Sequence, residues 1–206
     1  EDGEVIKQVS QEIYSTGKVT DKSEIGTYWW NEFQKAFNSA YEDSFETQRK
    51  LEYESLKKTI EYFNSTANAK ELSDLMFAHW IKPPIFEESK QFFEMCPVPI
   101  YVVSNIDRDD VLKAIEYHGL KPNGIFTSED AKSYKPRKEL FQFALNSTGL
   151  SAEQVVHIGD SLSSDIKGAS AVGINAIWIN RSKREIPNGV TAVENLLEVY
   201  NTDYFN

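Results

Sequence analysis

The sequence predicts an α/β protein in two parts, a helical bundle over residues 1–82 and a parallel sheet with connecting helices over residues 83–206. From Glu4 to Trp80 the apolar residues are spaced three and four apart, as on one face of an α-helix. The pair Pro83-Pro84 then interrupts the helical pattern. After it, short apolar runs alternate with helix-like segments, which is typical of a parallel sheet with crossover helices.

Four helical segments are predicted in the first part. Val5, Val9 and Ile13 form one apolar stripe, and Gly17 follows as a stop signal. The other three segments are marked by Tyr28, Trp29, Trp30, Phe33 and Phe37, then by Leu51, Leu56, Ile60 and Phe63, and then by Leu72, Leu75, Met76 and Trp80. We interpret the aromatic residues as the core of the bundle. Contact of Tyr28, Trp29 and Trp30 with a substrate is the alternative.

The second part alternates strands and helices in a regular order. The predicted strands are residues 98–103, 124–127, 155–158 and 175–179, and the predicted helices are residues 86–95, 111–118, 137–147 and 162–172. Each polar motif discussed below follows one of these strands. In parallel sheets the carboxyl ends of the strands meet at one edge, where ligands bind.

Composition limits the possible partners. The chain has 206 residues and a net charge of -10, which disfavours nucleic acids and anionic membranes as partners. Cys96 is the single cysteine, so no intramolecular disulfide is possible, and we expect it to be a small buried apolar residue. No apolar run approaches the length of a membrane span and the first residues lack the pattern of a signal peptide, so we expect a cytoplasmic protein.

Polar side chains follow the first and second predicted strands. Ser104-Asn105 comes directly after the strand ending at Val103, and its hydroxyl, amide and backbone N–H groups could bind an anion or cap a helix. Lys135 precedes Pro136, which we expect to open the next helix. A lysine at this position could neutralise a bound phosphate.

Two carboxylates follow the third predicted strand. Asp160 comes directly after Gly159, and Asp165 is close enough along the loop for both side chains to face one ion. Mg²⁺ prefers one or two carboxylates together with water and a substrate phosphate. The alternative is a helix N-cap at this turn. The three histidines, His79, His118 and His157, lack metal-ligand spacing, and we expect them to have core or surface roles.

The order of these motifs resembles the haloacid dehalogenase superfamily. Ser104-Asn105, Lys135-Pro136 and Gly159-Asp160 with Asp165 are similar to the second, third and fourth signature motifs of that superfamily. The resemblance covers roughly residues 83–181. It implies a Rossmann-like core over residues 83–206 and an inserted all-helical cap of the four-helix-bundle type over residues 1–82.

The resemblance also implies a role for each motif residue. Ser104 would bind the transferring phosphoryl group, with Asn105 beside it. Lys135 would contact the substrate and stabilise both the nucleophile and the phosphoryl charge. Asp160 would ligate Mg²⁺ directly, and Asp165 would hold the ion through water or orient Lys135.

The first signature motif of the superfamily, a strand followed by Asp-x-Asp-x-Thr, does not occur in the 206 residues. In the superfamily it supplies the nucleophilic and general-acid aspartates, and its strand lies between those that here end at Ser104 and Gly159. The central core strand is therefore absent from this sequence. The opening residues resemble the segment that comes immediately after that motif, so we expect the sequence to begin about 10 to 20 residues late, judging from the length of one strand and its loop. We also expect this chain by itself to have no phosphatase turnover.

For the intact protein, the resemblance implies Mg²⁺-dependent hydrolysis of a small phosphorylated metabolite through an aspartyl-phosphate intermediate. One alternative is a metal-independent 2-haloacid dehalogenase, which is disfavoured because that branch lacks an acidic pair such as Asp160 and Asp165. The other alternative is a non-enzymatic relative that binds a phosphorylated ligand or a partner protein with the remaining site.

Overall fold

The computed structural model describes residues 3–205, and the chain divides into two compact units. Among the described residues, the first unit contains residues 3–84 and 106–119, and the second contains residues 85–105 and 120–205. The predicted mixture of helices and parallel strands is confirmed, while the domain boundary after residue 82 stays a prediction. Within residues 3–205, no helix is both long and apolar enough to cross a membrane.

The first unit is built on a four-helix bundle. Its helices are α1 (Gly3–Thr16), α2 (Lys22–Ser39), α3 (Gln48–Tyr62) and α4 (Ala69–Trp80), with a 3-10 turn at Glu42–Ser44 between α2 and α3. Each helix contacts the next one along the chain, and α4 also contacts α1. The predicted stripe of Val5, Val9 and Ile13 is buried in this bundle. The ring of helices encloses one continuous apolar core.

The predicted aromatic core is correct in part. Trp29 and Phe33 are buried at 5% and 9% exposure, but Trp30 is 58% exposed and stacks on Phe33 with a centroid distance of 5.9 Å. Assigning Trp30 to the core was therefore wrong. Adjacent residues of an α-helix point about 100° apart, so that Trp29 and Trp30 cannot both face the same apolar interior.

Helix α6 (Arg108–His118) is part of the first unit and is joined to the start of α3 by charged side chains. The carboxylate of Asp107 accepts hydrogen bonds from the backbone N–H groups of Gln48 (2.7 Å) and Arg49 (2.9 Å). The Arg49 guanidinium donates to both oxygens of buried Asp110, at 2.7 and 2.6 Å. These bonds satisfy N–H groups at the start of α3 that have no partner within that helix.

We expect Asp107→Ala to lower the free energy of unfolding by about 2 kcal/mol, because two amide donors at the start of α3 lose a charged acceptor. Urea denaturation followed by circular dichroism measures the change. The matched control is Asp109→Ala, which removes an exposed carboxylate from the same segment and should change stability by less than about 0.5 kcal/mol. Equal losses for the two variants would contradict the proposed importance of the Asp107 contacts.

The second unit contains five parallel strands in two sheets. The strands are β1 (Tyr101–Ser104), β2 (Gly124–Thr127), β3 (Val156–Gly159), β4 (Asn175–Ile179) and β5 (Thr191–Val193). β1 pairs with β2, and β4 pairs with β3 and β5. Within residues 3–205, β1 and β3 therefore each have a neighbouring strand on one side only.

The helices of the second unit are short. They are α5 (Glu87–Met95), α7 (Ser128–Ala131), α8 (Lys138–Thr148) and α9 (Gly168–Ser170), with a π-helical segment at Leu162–Lys167 and 3-10 turns at Ala152–Gln154 and Leu196–Asn201. Pro136 does not open a helix as predicted, since it lies in a turn after a cis peptide bond and α8 begins at Lys138. The predicted α-helix over residues 162–172 is a π-helical segment followed by the single turn α9.

The core of the second unit lies around β4. Ile177 and Trp178 of this central strand are fully buried, and Phe92 of α5 packs on the same cluster as Ile177. Cys96 is half-buried against this cluster, less enclosed than the sequence suggested. Strand β4 thereby provides a rigid base for the loops at the carboxyl ends of its neighbours.

Candidate active site

Asn105 fixes the backbone of Lys135. The Lys135 N–H donates to Asn105 Oδ1 at 2.7 Å, and Asn105 Nδ2 donates to the Lys135 carbonyl at 3.2 Å. The hydroxyl of Ser128 donates in turn to the Asn105 carbonyl at 2.9 Å. Two residues predicted as site residues from separate motifs are thus joined by a pair of hydrogen bonds.

The ammonium group of Lys135 joins the two sheets. Lys135 is only 9% exposed, and its Nζ donates to the Val103 carbonyl of β1 at 2.9 Å and to Asp165 Oδ1 at 2.7 Å. Asp165 follows β3, in the π-helical segment. A single buried cation therefore connects the carboxyl end of β1 to the segment after β3.

Asp165 is a buried carboxylate whose two oxygens both accept hydrogen bonds. Oδ1 lies 2.7 Å from Lys135 Nζ and 3.1 Å from His157 Nε2, and Oδ2 accepts from the Ser161 N–H at 3.0 Å. Burial is the largest single effect and raises the pKa of Asp165. The hydrogen bond of His157 and the charge and hydrogen bond of Lys135 outweigh it together, so that the pKa lies well below its usual range. Asp165 is therefore ionised at neutral pH.

Gly159 leaves the space that the side chain of Asp165 occupies. A Cβ atom added to Gly159 would lie 2.5 Å from Oδ2 and 2.5 Å from Cβ of Asp165, well inside contact distance. Any other residue at this position would displace the carboxylate from Lys135. The glycine after β3 is thus required by close packing and not by its backbone angles.

Asp160 differs from Asp165 in being exposed. Its carbonyl accepts a hydrogen bond from Nε1 of the fully buried Trp178 at 2.9 Å, which fixes the backbone of the loop to β4. The helix-capping side chain at this turn is that of Ser161, whose Oγ accepts from the Ser164 N–H at 3.0 Å. The carboxylate of Asp160 is therefore presented to solvent at the end of β3.

The carboxylates of this site fit a magnesium site that is shared with a ligand. Both oxygens of Asp165 are already engaged by protein donors, which leaves Asp160 as the exposed carboxylate. Across residues 3–205, no group of three or more His, Cys, Asp or Glu side chains could hold a metal ion. Mg²⁺ is commonly held by one or two carboxylates, several waters and a substrate phosphate, so Asp160 suits such a site. The metal-binding roles of Asp160 and Asp165 stay predictions.

Of the predicted site residues, the structure brings Asn105, Lys135 and Asp165 into direct contact. Ser104 is the half-buried last residue of β1, next to the Val103 carbonyl that Lys135 contacts. Its binding to a phosphoryl group stays a prediction. Asp160 lies in the same turn as Asp165. The hydrogen bonds that hold this turn use the Asp160 carbonyl and the Ser161 hydroxyl.

Sequence reasoning missed two residues that support the site, His157 and Trp178. His157 was assigned a role unrelated to the site, yet its Nε2 lies 3.1 Å from Asp165. Its position carried a usable signal, because residues two apart in a strand face the same side, and His157 is two residues before Gly159, where Asp165 packs. The hydrogen bond from Trp178 to the Asp160 carbonyl had no signal in the sequence.

Residues 2–179 match the haloacid dehalogenase-like hydrolase family. The chain belongs to this family. The HAD-hydrolase YfnB of Bacillus subtilis is 35% identical over 99 residues, which are 46% of this chain and 42% of that protein. Phosphoserine phosphatase of Thermus thermophilus is 24% identical over 123 residues, 56% of this chain and 49% of that protein. The matched segments thus span less than half the length of these relatives.

Solved structures of the family share the fold. The crystal structure of YfnB from Bacillus subtilis bound to magnesium has a TM-score of 0.74 at 20% identity, covering 97% of this chain and 89% of that one. L-2-haloacid dehalogenase from Xanthobacter autotrophicus has a TM-score of 0.71 at 14% identity, covering 94% of this chain and 91% of that one. At these identities the likeness establishes the fold alone, which is a family core with a helical cap.

We expect Asp165→Asn to lower the free energy of unfolding by about 3 kcal/mol, because it leaves the buried Lys135 ammonium without its counter-charge. The midpoint of urea denaturation measures this loss. Asp160→Asn is the matched control, since it makes the same change on an exposed carboxylate of the same turn and should cost less than about 0.5 kcal/mol. A neutral or stabilising Asp165→Asn substitution would show that the ion pair does not hold the site together.

Proposed function

We propose that this chain contributes the phosphate-binding and magnesium-binding part of a phosphatase active site. The intact protein would hydrolyse a small phosphomonoester through an aspartyl-phosphate intermediate. Membership of a hydrolase family supports the reaction class. The similarity to a phosphoserine phosphatase supports a phosphate ester as the substrate class.

The observation that carries this proposal is the fixed ammonium group of Lys135. Its Nζ is held by the Val103 carbonyl and by Asp165, and its backbone is held by Asn105. A cation that is already oriented and shielded from water stabilises developing phosphoryl charge without reorganising during the reaction. In this proposal Ser104 donates a hydrogen bond to the phosphoryl group, and the Asn105 side chain acts by positioning Lys135.

The charges of the site support a role for a metal ion in this proposal. Lys135 contributes one positive charge, while Asp160 and Asp165 contribute two negative charges, so these three side chains alone would not attract a phosphate dianion. Mg²⁺, when bound, would reverse this balance and withdraw charge from the phosphoryl oxygens. The exposed Asp160 would hold the ion, and the engaged Asp165 would hold Lys135.

We expect inorganic phosphate to bind this chain with Mg²⁺ present and to bind at least about tenfold more weakly without it, as measured by isothermal titration calorimetry. Lys135→Met should weaken the Mg²⁺-dependent binding about tenfold, because the fixed positive charge is lost. Lys138→Met is the matched control, since Lys138 is an exposed lysine three residues further along, and it should leave the affinity unchanged. Phosphate binding that is indifferent to Mg²⁺ would contradict the proposal and favour the metal-independent dehalogenase alternative.

We expect the 206-residue chain to show no Mg²⁺-dependent turnover of p-nitrophenyl phosphate, because its sequence lacks the Asp-x-Asp-x-Thr motif that supplies the nucleophile in this family. Release of p-nitrophenol measures the rate. The comparison is a polypeptide with a strand and an Asp-x-Asp-x-Thr segment fused before Glu1, which should turn over the ester. Turnover by the 206 residues alone would require a nucleophile within them.

A further inference from the structure

Strand β4 is followed by three basic residues, and two of them are neutralised by carboxylates. Arg181 pairs with Glu88 at 2.6 Å, and Lys183 pairs with Glu194 at 3.0 Å. Arg184 is exposed and forms no ion pair in the described part of the chain. The loop after β4 therefore presents one positive charge without a counter-charge, and the proposed function gives this charge no role.

The backbone of Arg184 is held in the same way as that of Lys135. The Arg184 N–H donates to Asn180 Oδ1 at 2.9 Å, and Asn180 Nδ2 donates to the Arg184 carbonyl at 2.8 Å. Asn105 makes the corresponding two bonds to Lys135, at 2.7 and 3.2 Å. Each asparagine directly follows a parallel strand, β1 or β4. The fold thus fixes a second basic residue beyond the carboxyl end of a strand by the same pair of hydrogen bonds.

The guanidinium of Arg184 lies close to the loop that carries Asp160. Its Cζ is 4.8 Å from the ring centroid of Trp178, and Nε1 of the same indole donates to the Asp160 carbonyl at 2.9 Å. These two contacts and the ring between them place the guanidinium within about 10 Å of that carbonyl. Strands β3 and β4 are parallel neighbours with Gly159 opposite Trp178, so both loops leave the same edge of one sheet. One small ligand can therefore reach both loops.

We propose that Arg184 is a specificity-determining residue that binds a carboxylate carried by the phosphorylated substrate. The inference rests on the proposed function, in which Lys135 and Asp160 serve the phosphoryl group. A guanidinium that stacks on an aromatic ring still directs its N–H donors outward in its own plane, where a carboxylate can accept two of them. A phosphate and a carboxylate joined by a three-carbon chain, with a hydrogen bond at each end, span about the distance between the two loops.

A carboxylate suits this position better than a second phosphate. The single charge of Arg184 balances a monoanion, and the neighbouring Arg181 and Lys183 are already paired with carboxylates. A phosphate dianion would leave one negative charge uncompensated in a chain whose net charge is -10. The inferred substrate class is therefore a short phosphorylated carboxylic acid.

The test compares 3-phosphoglycerate with glycerol 3-phosphate, which has a hydroxymethyl group in place of the carboxylate. We expect 3-phosphoglycerate to bind the 206-residue chain at least about fivefold more tightly in isothermal titration calorimetry with Mg²⁺ present, the effect of one charge-assisted contact at an exposed site. Net charge alone predicts the opposite order, because the chain is acidic and 3-phosphoglycerate is the more negative ligand. Tighter binding of 1,3-propanediol bisphosphate than of 3-phosphoglycerate would contradict the choice of a carboxylate.

Two variants locate the contact. Arg184→Met should make the affinities for the two ligands equal, because methionine can still cover Trp178 but offers neither a charge nor an N–H donor. Lys183→Met is the matched control, since it removes the same charge from the adjacent exposed residue, and it should keep the preference for 3-phosphoglycerate. Thermal unfolding without ligand shows whether each variant is folded.

The outcomes separate this inference from the phosphatase proposal. Failure of glycerol 3-phosphate to bind with Mg²⁺ would overturn the proposed function and the role of Arg184 with it. Binding of glycerol 3-phosphate without any preference for 3-phosphoglycerate would overturn the role of Arg184 alone. A preference that survives Arg184→Met, or that Lys183→Met also removes, would overturn it as well, because the carboxylate would then be recognised by another group or by the general charge of the loop.

Discussion

The ion pair between Lys135 and Asp165 is the constraint on which the second unit depends. Strands β1 and β3 belong to different sheets, so no backbone ladder joins them. The Lys135 ammonium donates both to the Val103 carbonyl of β1 and to the carboxylate that follows β3. A buried pair of this kind offsets its desolvation cost only when its geometry is good and its remaining hydrogen-bonding groups are satisfied. The surrounding residues meet both conditions.

The residues around the ion pair hold its two side chains in place. Asn105 fixes the backbone of Lys135, and Gly159 provides the space for the carboxylate. His157 Nε2 lies 3.1 Å from Oδ1 of Asp165, and the Ser161 N–H donates to its Oδ2. An ionised carboxylate only accepts hydrogen bonds, so His157 contributes one when its Nε2 carries the proton. The orientation of the ammonium is thus set by the fold before any ligand arrives, which is the condition for electrostatic catalysis.

Much of this arrangement could be predicted from the sequence, because local patterns report local structure. The strands Gly124–Thr127 and Asn175–Ile179 were predicted to the residue, and the stripe of Val5, Val9 and Ile13 identified the buried face of α1. The resemblance also linked Lys135 with Asp165. The π-helical segment and the exposure of Trp30 could not be foreseen, because both follow from how neighbouring elements pack. Strand β5 is only three residues long, too short for a periodic pattern.

Buried polar groups usually have hydrogen-bond partners, and this requirement distinguishes the surroundings of Asp165 from those of Trp29 and Gln48. Around Asp165, each carboxylate oxygen has a protein donor, so the fold itself accounts for the burial of the charge. In the helical bundle, Nε1 of Trp29 and Oε1 of Gln48 are buried without a hydrogen-bond partner among the described residues. A satisfied buried group can stabilise the protein, while an unsatisfied one lowers its stability. The donors around Asp165 therefore explain how its charge can be buried beside Lys135.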